Sequence, residues 1–339
     1  MALPAAMIDP FVGTPFDTIS LTAAVNKMPH VPGRLGKMNL FVAKGITTTN
    51  VLVEEHNGTL ALIPNTPRGS APSQNSRGRR KARNFIVPHF PLEDVMQASE
   101  IQGVREFGGT GLQSPNTKRD EILAQMRAKH DATLEYGRIG AVKGIILESD
   151  GSTTFINLFT EFGISQTSVD FVLGTSTTDV MGKCLEVKRA IETALGTGTY
   201  TAVRCICGAT WFNKFSSHPR VKEAYANYLN RGGNQFLAAD NRAGFEFGGI
   251  MFEEYRGKVG SVDFIAASEA HFFPEGVPSL FETYFAPGDF LEAANTVGLP
   301  IYAKAEPMEY NRGIKLLTES NPLSLCTRPE TLIKGTTSN

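Results

Sequence analysis

Four cysteines in 339 residues are too few to staple a fold, which excludes a disulfide scaffold and fits a chain folded in a reducing cytoplasm. No apolar run approaches the roughly 20 residues of a membrane span, so no membrane contact is expected. Residues Met1 to Asn26 contain no Lys or Arg and are broken by Pro4 and Pro10, so they do not read as a secretory signal. Net charge is also lacking, at −1 for the whole chain. With 41% apolar and 20% charged residues, the length suffices for two or three domains around a sizeable core.

Reactive constellations are missing as well. Gly108-Gly109-Thr110-Gly111 follows no clear strand and lacks the third glycine of a dinucleotide fingerprint. Gly196-Thr197-Gly198-Thr199 is not followed by Lys-Ser or Lys-Thr, so it reads as a helix-ending turn and not a P-loop. There is no Gly-x-Ser-x-Gly elbow. His30, His56, His89, His130, His218 and His271 are scattered, with no two at ligand spacing. Cys205 and Cys207 share one face of a strand, and without a second pair or a nearby His they read as buried core thiols. Trp211 reads as core. The expectation is therefore no catalytic residue, no metal, no cofactor and no enzyme.

What is present begins with a long helix. From 117 to 142, Ile122, Leu123, Met126, His130, Leu134 and Ala141 recur at three- or four-residue steps with charges opposite. Thr117 is the expected cap, and Gly137, Gly140 and Gly144 weaken the far end. Such a helix is roughly 40 Å long at about 1.5 Å per residue. Met126, Leu134 and Ala141 are expected to face inward, and Arg127, Asp131, Glu135 and Arg138 outward.

Around this helix the chain reads as α+β, without a repeat of fixed period. Residues 1–45 hold five prolines and short apolar runs; they read as an extended arm, ordered only against a neighbour that covers Phe11, Phe16, Leu21, Leu40 and Phe41. Two strand regions, Asn50 to His56 and Phe85 to Phe90, flank a polar tip of about twenty residues, a loop length that is usually functional. Asn57-Gly58 is a hairpin signal, as is Asp150-Gly151 between strands 144–148 and 153–158. The sequon at Asn57 is read as that turn. A second helix spans 178–195, capped by Thr178 and stopped by Gly196. A buried strand covers 201–207, and a short helix 219–230 is closed by Gly232-Gly233. Residues 245–255 and 262–267 alternate as strands, 268–300 read as a loop, and 301–307, 313–319 and 323–326 read as closing strands.

Charge is distributed unevenly. Arg68, Arg77, Arg79, Arg80, Lys81 and Arg83 give the window 68–83 a charge of +6 with no acid. The window 259–303 has no Lys or Arg and carries −6, including Glu275, Glu282, Asp289 and Glu292. A basic projecting loop and an acidic surface in one chain point to contact between copies. The alternative is a nucleic-acid-binding protein acting through the 68–83 loop, although no aromatic lies between Pro64 and Asn84 to stack on bases.

Several local motifs resemble one family. They are Phe272-Phe273-Pro274-Glu275-Gly276-Val277-Pro278, Phe281-Glu282-Thr283-Tyr284-Phe285-Ala286-Pro287, Gly298-Leu299-Pro300-Ile301-Tyr302-Ala303-Lys304, Ser320-Asn321-Pro322-Leu323 and Thr327-Arg328-Pro329-Glu330. Val104 to Gly108, Asp150-Gly151 and Phe159 to Gly163 also match. With the arm, projecting loop and long helix, the chain resembles the lambda-type capsid protein E family of tailed-bacteriophage (Caudoviricetes) major capsid proteins. The resemblance implies an N-terminal arm at 1–45, an E-loop within 46–92, a P domain at 93–185 with spine helix 117–142, an A domain at 186–300, and closing P-domain strands at 301–339. It implies self-assembly, through hexamers and pentamers, into the icosahedral head shell that encloses double-stranded DNA. Scaffolding, portal and decoration proteins and non-specific DNA contacts are the implied partners. The virion, assembled in the host cytoplasm, is the implied location.

Overall fold

The computed structural model describes residues 18–28, 33–56, 80–101, 114–230 and 244–338. The chain runs through α1 (Thr18–Lys27), α2 (Arg34–Lys37), β1 (Val42–Gly45), β2 (Asn50–His56), β3 (Arg80–Ile86), β4 (Phe90–Gln97), α3 (Ala98–Ile101) and α4 (Pro115–Lys143). Next come β5 (Ile145–Leu147), β6 (Thr154–Asn157), α5 (Leu158–Phe162), β7 (Ser168–Asp170), α6 (Val180–Leu195), β8 (Ala202–Cys207), α7 (Ala209–Ser217) and α8 (Pro219–Asn230). The last part supplies β9 (Phe245–Phe247), β10 (Ile250–Glu254), β11 (Lys258–Val259), β12 (Val262–Asp263), β13 (Ala270–Glu275) and β14 (Phe281–Phe285). It ends with β15 (Tyr302–Pro307), β16 (Gly313–Ser320), β17 (Pro322–Cys326) and β18 (Ile333–Thr336). The architecture is α+β, as expected.

Helix α4 has 29 residues, about 43 Å at 1.5 Å per residue. Its cap is Ser114, not Thr117: the Ser114 hydroxyl accepts from the Thr117 amide at 3.1 Å. Pro115 at the first helical position explains the earlier start, since its missing N–H costs nothing there. The helix runs on through Gly137 and Gly140 and stops at Gly144, whose φ of 80° closes the last turn. Gly140 persists because a Cβ there would come within 2.9 Å of the Ile146 backbone, where β5 folds back.

Met126 and Ala141 are buried as expected, while Leu134 is only half-buried. The outward assignment of Arg127, Asp131, Glu135 and Arg138 is corrected. Arg127 and Glu135 are 8% and 5% exposed. Arg127 donates to the Val25 carbonyl near the end of α1 and lies 3.7 Å from Asp131. Glu135 accepts from the Leu35 amide at 2.7 Å and the Tyr255 hydroxyl at 3.2 Å, and Arg138 lies 5.5 Å over the Phe41 ring. The helix is packed on several sides, by α1, α2 and β17, so its polar stripe is spent on binding other parts of the chain. An amphipathic reading assumes water on that side.

Two of the three cores divide the helix between them. The N-terminal half, with Ile122, Leu123 and Met126, packs with Leu21 and Val25 of α1 against the sheet β15-β16-β4. The C-terminal half, with Ile139, Ala141 and Val142, joins Phe41, Val51 and Phe85 against the sheet β1-β14-β17. A third core fills the six-stranded sheet β7-β18-β13-β8-β10-β9, between α6, α7 and α8. Trp211 sits in it, 5.2 Å from Phe215 and 5.3 Å from Phe171. Cys205 and Cys207 are buried in the same core.

The arm needs no neighbour over its described part. Thr22 exchanges hydrogen bonds with the Ala303 backbone, and the Asn26 amide donates to the Ile301 carbonyl at 2.8 Å. Phe41 packs 5.2 Å from Phe281. The apolar partners that the arm lacks in sequence are thus supplied by residues some 240 to 280 positions later. Phe11 and Phe16 lie outside the described residues, as do Asn57-Gly58, its return strand and Gly232-Gly233.

Other boundaries also change. Region 268–300 is not a loop: it holds β13, antiparallel to β8 and β18, and β14, antiparallel to β17. Residues 245–255 are a tight hairpin, β9 and β10, turned at Gly248-Gly249 with both φ values positive. Helix α6 is capped by Asp179, whose carboxylate accepts from the Gly182 amide at 3.0 Å, not by Thr178. The stop at Gly196 holds, and Val180, Cys184, Val187 and Ile191 form the buried face of the helix.

Candidate functional site

The basic loop leaves the body on a two-stranded ribbon. Strands β2 and β3 pair in register from Asn50↔Ile86 to His56↔Arg80, so two faces alternate along it. Val51 and Phe85 on one face are buried, while Leu52 and Ile86 on the other are 60% and 67% exposed. Arg68, Arg77 and Arg79 lie outside the described residues, and Arg80 and Lys81 open β3, opposite His56 and Glu55.

Arg83 is turned inward to its own chain. Its Nε donates to the Glu161 carbonyl at 2.8 Å and its Nη2 to the Phe162 carbonyl at 3.3 Å. The guanidinium centre lies 4.4 Å from the Phe162 ring centroid. These carbonyls end the short helix α5, where the last turn has no intrahelical donors, and a cation there also meets the negative end of the helix. Arg83 shares the ribbon face of Phe85, so the period-2 alternation held the signal for its inward direction. The signal was masked because five of the six basic residues lie close together and read as one charged run.

The acidic window is not one exposed surface. Glu282 is 3% exposed, paired with Lys44 at 2.5 Å and hydrogen-bonded by the Tyr284 hydroxyl. Burial works against its charge, but the Lys44 and Tyr284 bonds outweigh that and hold its carboxyl below the usual range. Glu275 accepts from Arg204, which also bridges to Glu253 at 3.2 Å. Glu253 in turn takes both donors of the Arg34 fork. Glu292 is exposed and lies 3.1 Å from Lys304; Asp289 is exposed, and its amide donates to buried Glu319 at 2.8 Å. Three of the four acids are thus matched within the chain, which lowers what they can offer a neighbour. Among the described residues no group of His, Cys, Asp and Glu is arranged to hold a metal ion, and no helix is long and apolar enough to cross a membrane.

The family model described as phage major capsid protein E matches residues 17–337. The chain is similar to the major capsid protein of Pseudomonas phage KPP10, 30% identical over 340 residues, covering 94% of this chain and 96% of that one. It is also similar to the major capsid protein of Salmonella phage Felix O1 (isolate Felix O1-VT1), 25% identical over 352 residues, covering 94% and 95%. In three dimensions it resembles a chain of the bacteriophage PhiM1 mature capsid, with a TM-score of 0.52 and 14% identity over 88% of this chain and 85% of that one. A motif set made of turns and buried strands, a spine helix shared by two cores and a match over almost every residue converge: the chain belongs to the phage major capsid protein E family.

Proposed function

We propose that this shell-forming capsid protein builds the icosahedral head around packaged double-stranded DNA, with the basic loop reaching from each subunit to the next. The β2–β3 ribbon carries this reading. Among the described strands its two members pair only with each other, one face is seated on the parent subunit, and the basic run lies at its outer end. An outer face that exposes Leu52 and Ile86, with a basic run beyond it in sequence, suits a surface on another copy. Many weak contacts of this kind, repeated by symmetry, close a shell.

The cores support the proposed layout. The P domain is built on α4 and the sheet β15-β16-β4, the A domain on the six-stranded sheet, and the E-loop on the ribbon within 46–92. An A-domain start before Val180, rather than at 186, is supported by α6, which a boundary at 185 would divide, and by β7 and β18, which join the sheet from outside 186–300. Hexamers and pentamers of the chain, a scaffolding protein, a portal, a decoration protein and DNA are the proposed partners. The capsid role makes an enzyme unnecessary. The test is electron microscopy of the purified, nuclease-treated protein, in which closed shells are expected. Soluble monomers that bind DNA would transfer the loop to the nucleic-acid reading.

A further inference from the structure

A helix of four residues has no stability of its own, so α2 stays in place only through what it touches. It touches two layers of the molecule at once. On one side the Leu35 side chain is fully buried in the core around the C-terminal half of α4, and the Leu35 amide donates to Glu135 of that helix at 2.7 Å. On the other side the Arg34 guanidinium donates through Nε and Nη2 to the two carboxylate oxygens of Glu253, the Nη2 bond at 2.7 Å. Glu253 belongs to β10 of the six-stranded sheet. Gly33 lets the chain enter between the two layers, because a Cβ there would strike the Glu135 carboxyl group.

Both acids are buried, and a buried carboxylate left without a partner is strongly destabilising. A seat that relied on α2 alone would therefore hold it permanently. Neither acid relies on it. Glu253 also accepts from Arg204 Nη1 at 3.2 Å, and Arg204 is itself held on Glu275. Glu135 also accepts from the Tyr255 hydroxyl at 3.2 Å, one residue beyond β10. Each acid thus keeps a donor from the body of the molecule when α2 leaves. The Arg34 side chain is 41% exposed, so its charge returns readily to water. What keeps α2 seated at rest is the apolar side chain of Leu35. We propose that α2 is a releasable clasp between α4 and the six-stranded sheet. Closed, it ties the two layers through Glu135 and Glu253. Open, it leaves those acids to Tyr255 and Arg204, so this junction loosens while both layers stay folded.

The test is hydrogen exchange of the purified full chain, read by mass spectrometry on peptides 34–38, 135–143 and 250–255. In the wild type the α2 peptide is expected to exchange at least tenfold faster than the other two, by local opening. Exchange in step with them, through global unfolding alone, overturns the proposal. Arg204→Ala gives the sharper readout. With that reserve donor gone, opening the clasp leaves Glu253 unpaired, so exchange of the α2 peptide should slow at least threefold. If α2 were simply part of the packing, loss of Arg204 would loosen it, and faster or unchanged exchange contradicts the proposal. Should Arg204→Ala fail to fold, Tyr255→Phe removes the reserve at Glu135 and carries the same expected sign. Arg34→Ala should speed the α2 peptide at least tenfold and leave the other two unchanged. Equal acceleration of all three assigns Arg34 a general stabilising role and overturns the clasp.

Discussion

Arg83 shows how one side chain can decide what a charged run is for. Two of its donors and its flat face are used at the end of α5, so its charge is spent within its own subunit. Arg83→Ala is expected to lower stability by about 1.5 to 3 kcal/mol, the range for hydrogen bonds to charged groups. Arg83→Lys should not restore it, because a point charge cannot replace a planar fork stacked on a ring. Denaturant midpoints of the three proteins check this; equal midpoints would show that the clamp carries no energy. Glu269 makes a second residue-scale case. His271 at 3.3 Å and Lys334 at 2.5 Å hold its carboxyl down to about 2. A carboxyl depressed on folding contributes stability above its ordinary value of 4.5 and loses it as pH falls toward 2. Glu269→Gln should therefore melt lower than wild type at pH 7, with the gap closing between pH 4.5 and 2. A gap constant with pH would count against the ionic account.

At the scale of elements, the spine helix and β13 mark the two limits of what could be read from sequence. Helix α4 was legible because Ile122, Leu123, Met126 and Ala141 keep their spacing, and all four are buried. Its neighbours were not legible, since α1, α2 and β17 turn Arg127 and Glu135 from solvent groups into buried ones. Strand β13 was hidden for another reason. Its residues from Ala270 to Pro274 are buried on both faces, so no alternation survives, and Pro274 inside the run argues against a strand. The ribbon's existence was legible and its inner anchor was not, for α5 comes some eighty positions later. Met126→Ala should cost about 2 to 5 kcal/mol and Phe272→Ala about 3 to 5, while half-buried Leu134→Ala should cost less than either. Chemical denaturation orders the three, and a Leu134 cost above that of Met126 would contradict its half-buried place.

For the whole molecule, assembly should be more sensitive than folding to charge at the loop tip. Each exposed pair across an interface contributes at most about 1 kcal/mol, so closure depends on many copies at once. Salt should weaken it as the Debye length falls from about 10 Å at 0.1 M to about 3 Å at 1 M, but a DNA-binding loop would follow the same trend, so reversal of charge is the discriminating step. The most direct measurement is therefore electron microscopy of the Arg77→Glu, Arg79→Glu, Arg80→Glu triple variant, purified free of nucleic acid beside the wild type. The account predicts closed shells from the wild type, and from the variant a folded protein with an unchanged melting temperature and no shells. Normal empty shells from the variant, with only DNA retention lost, would contradict it.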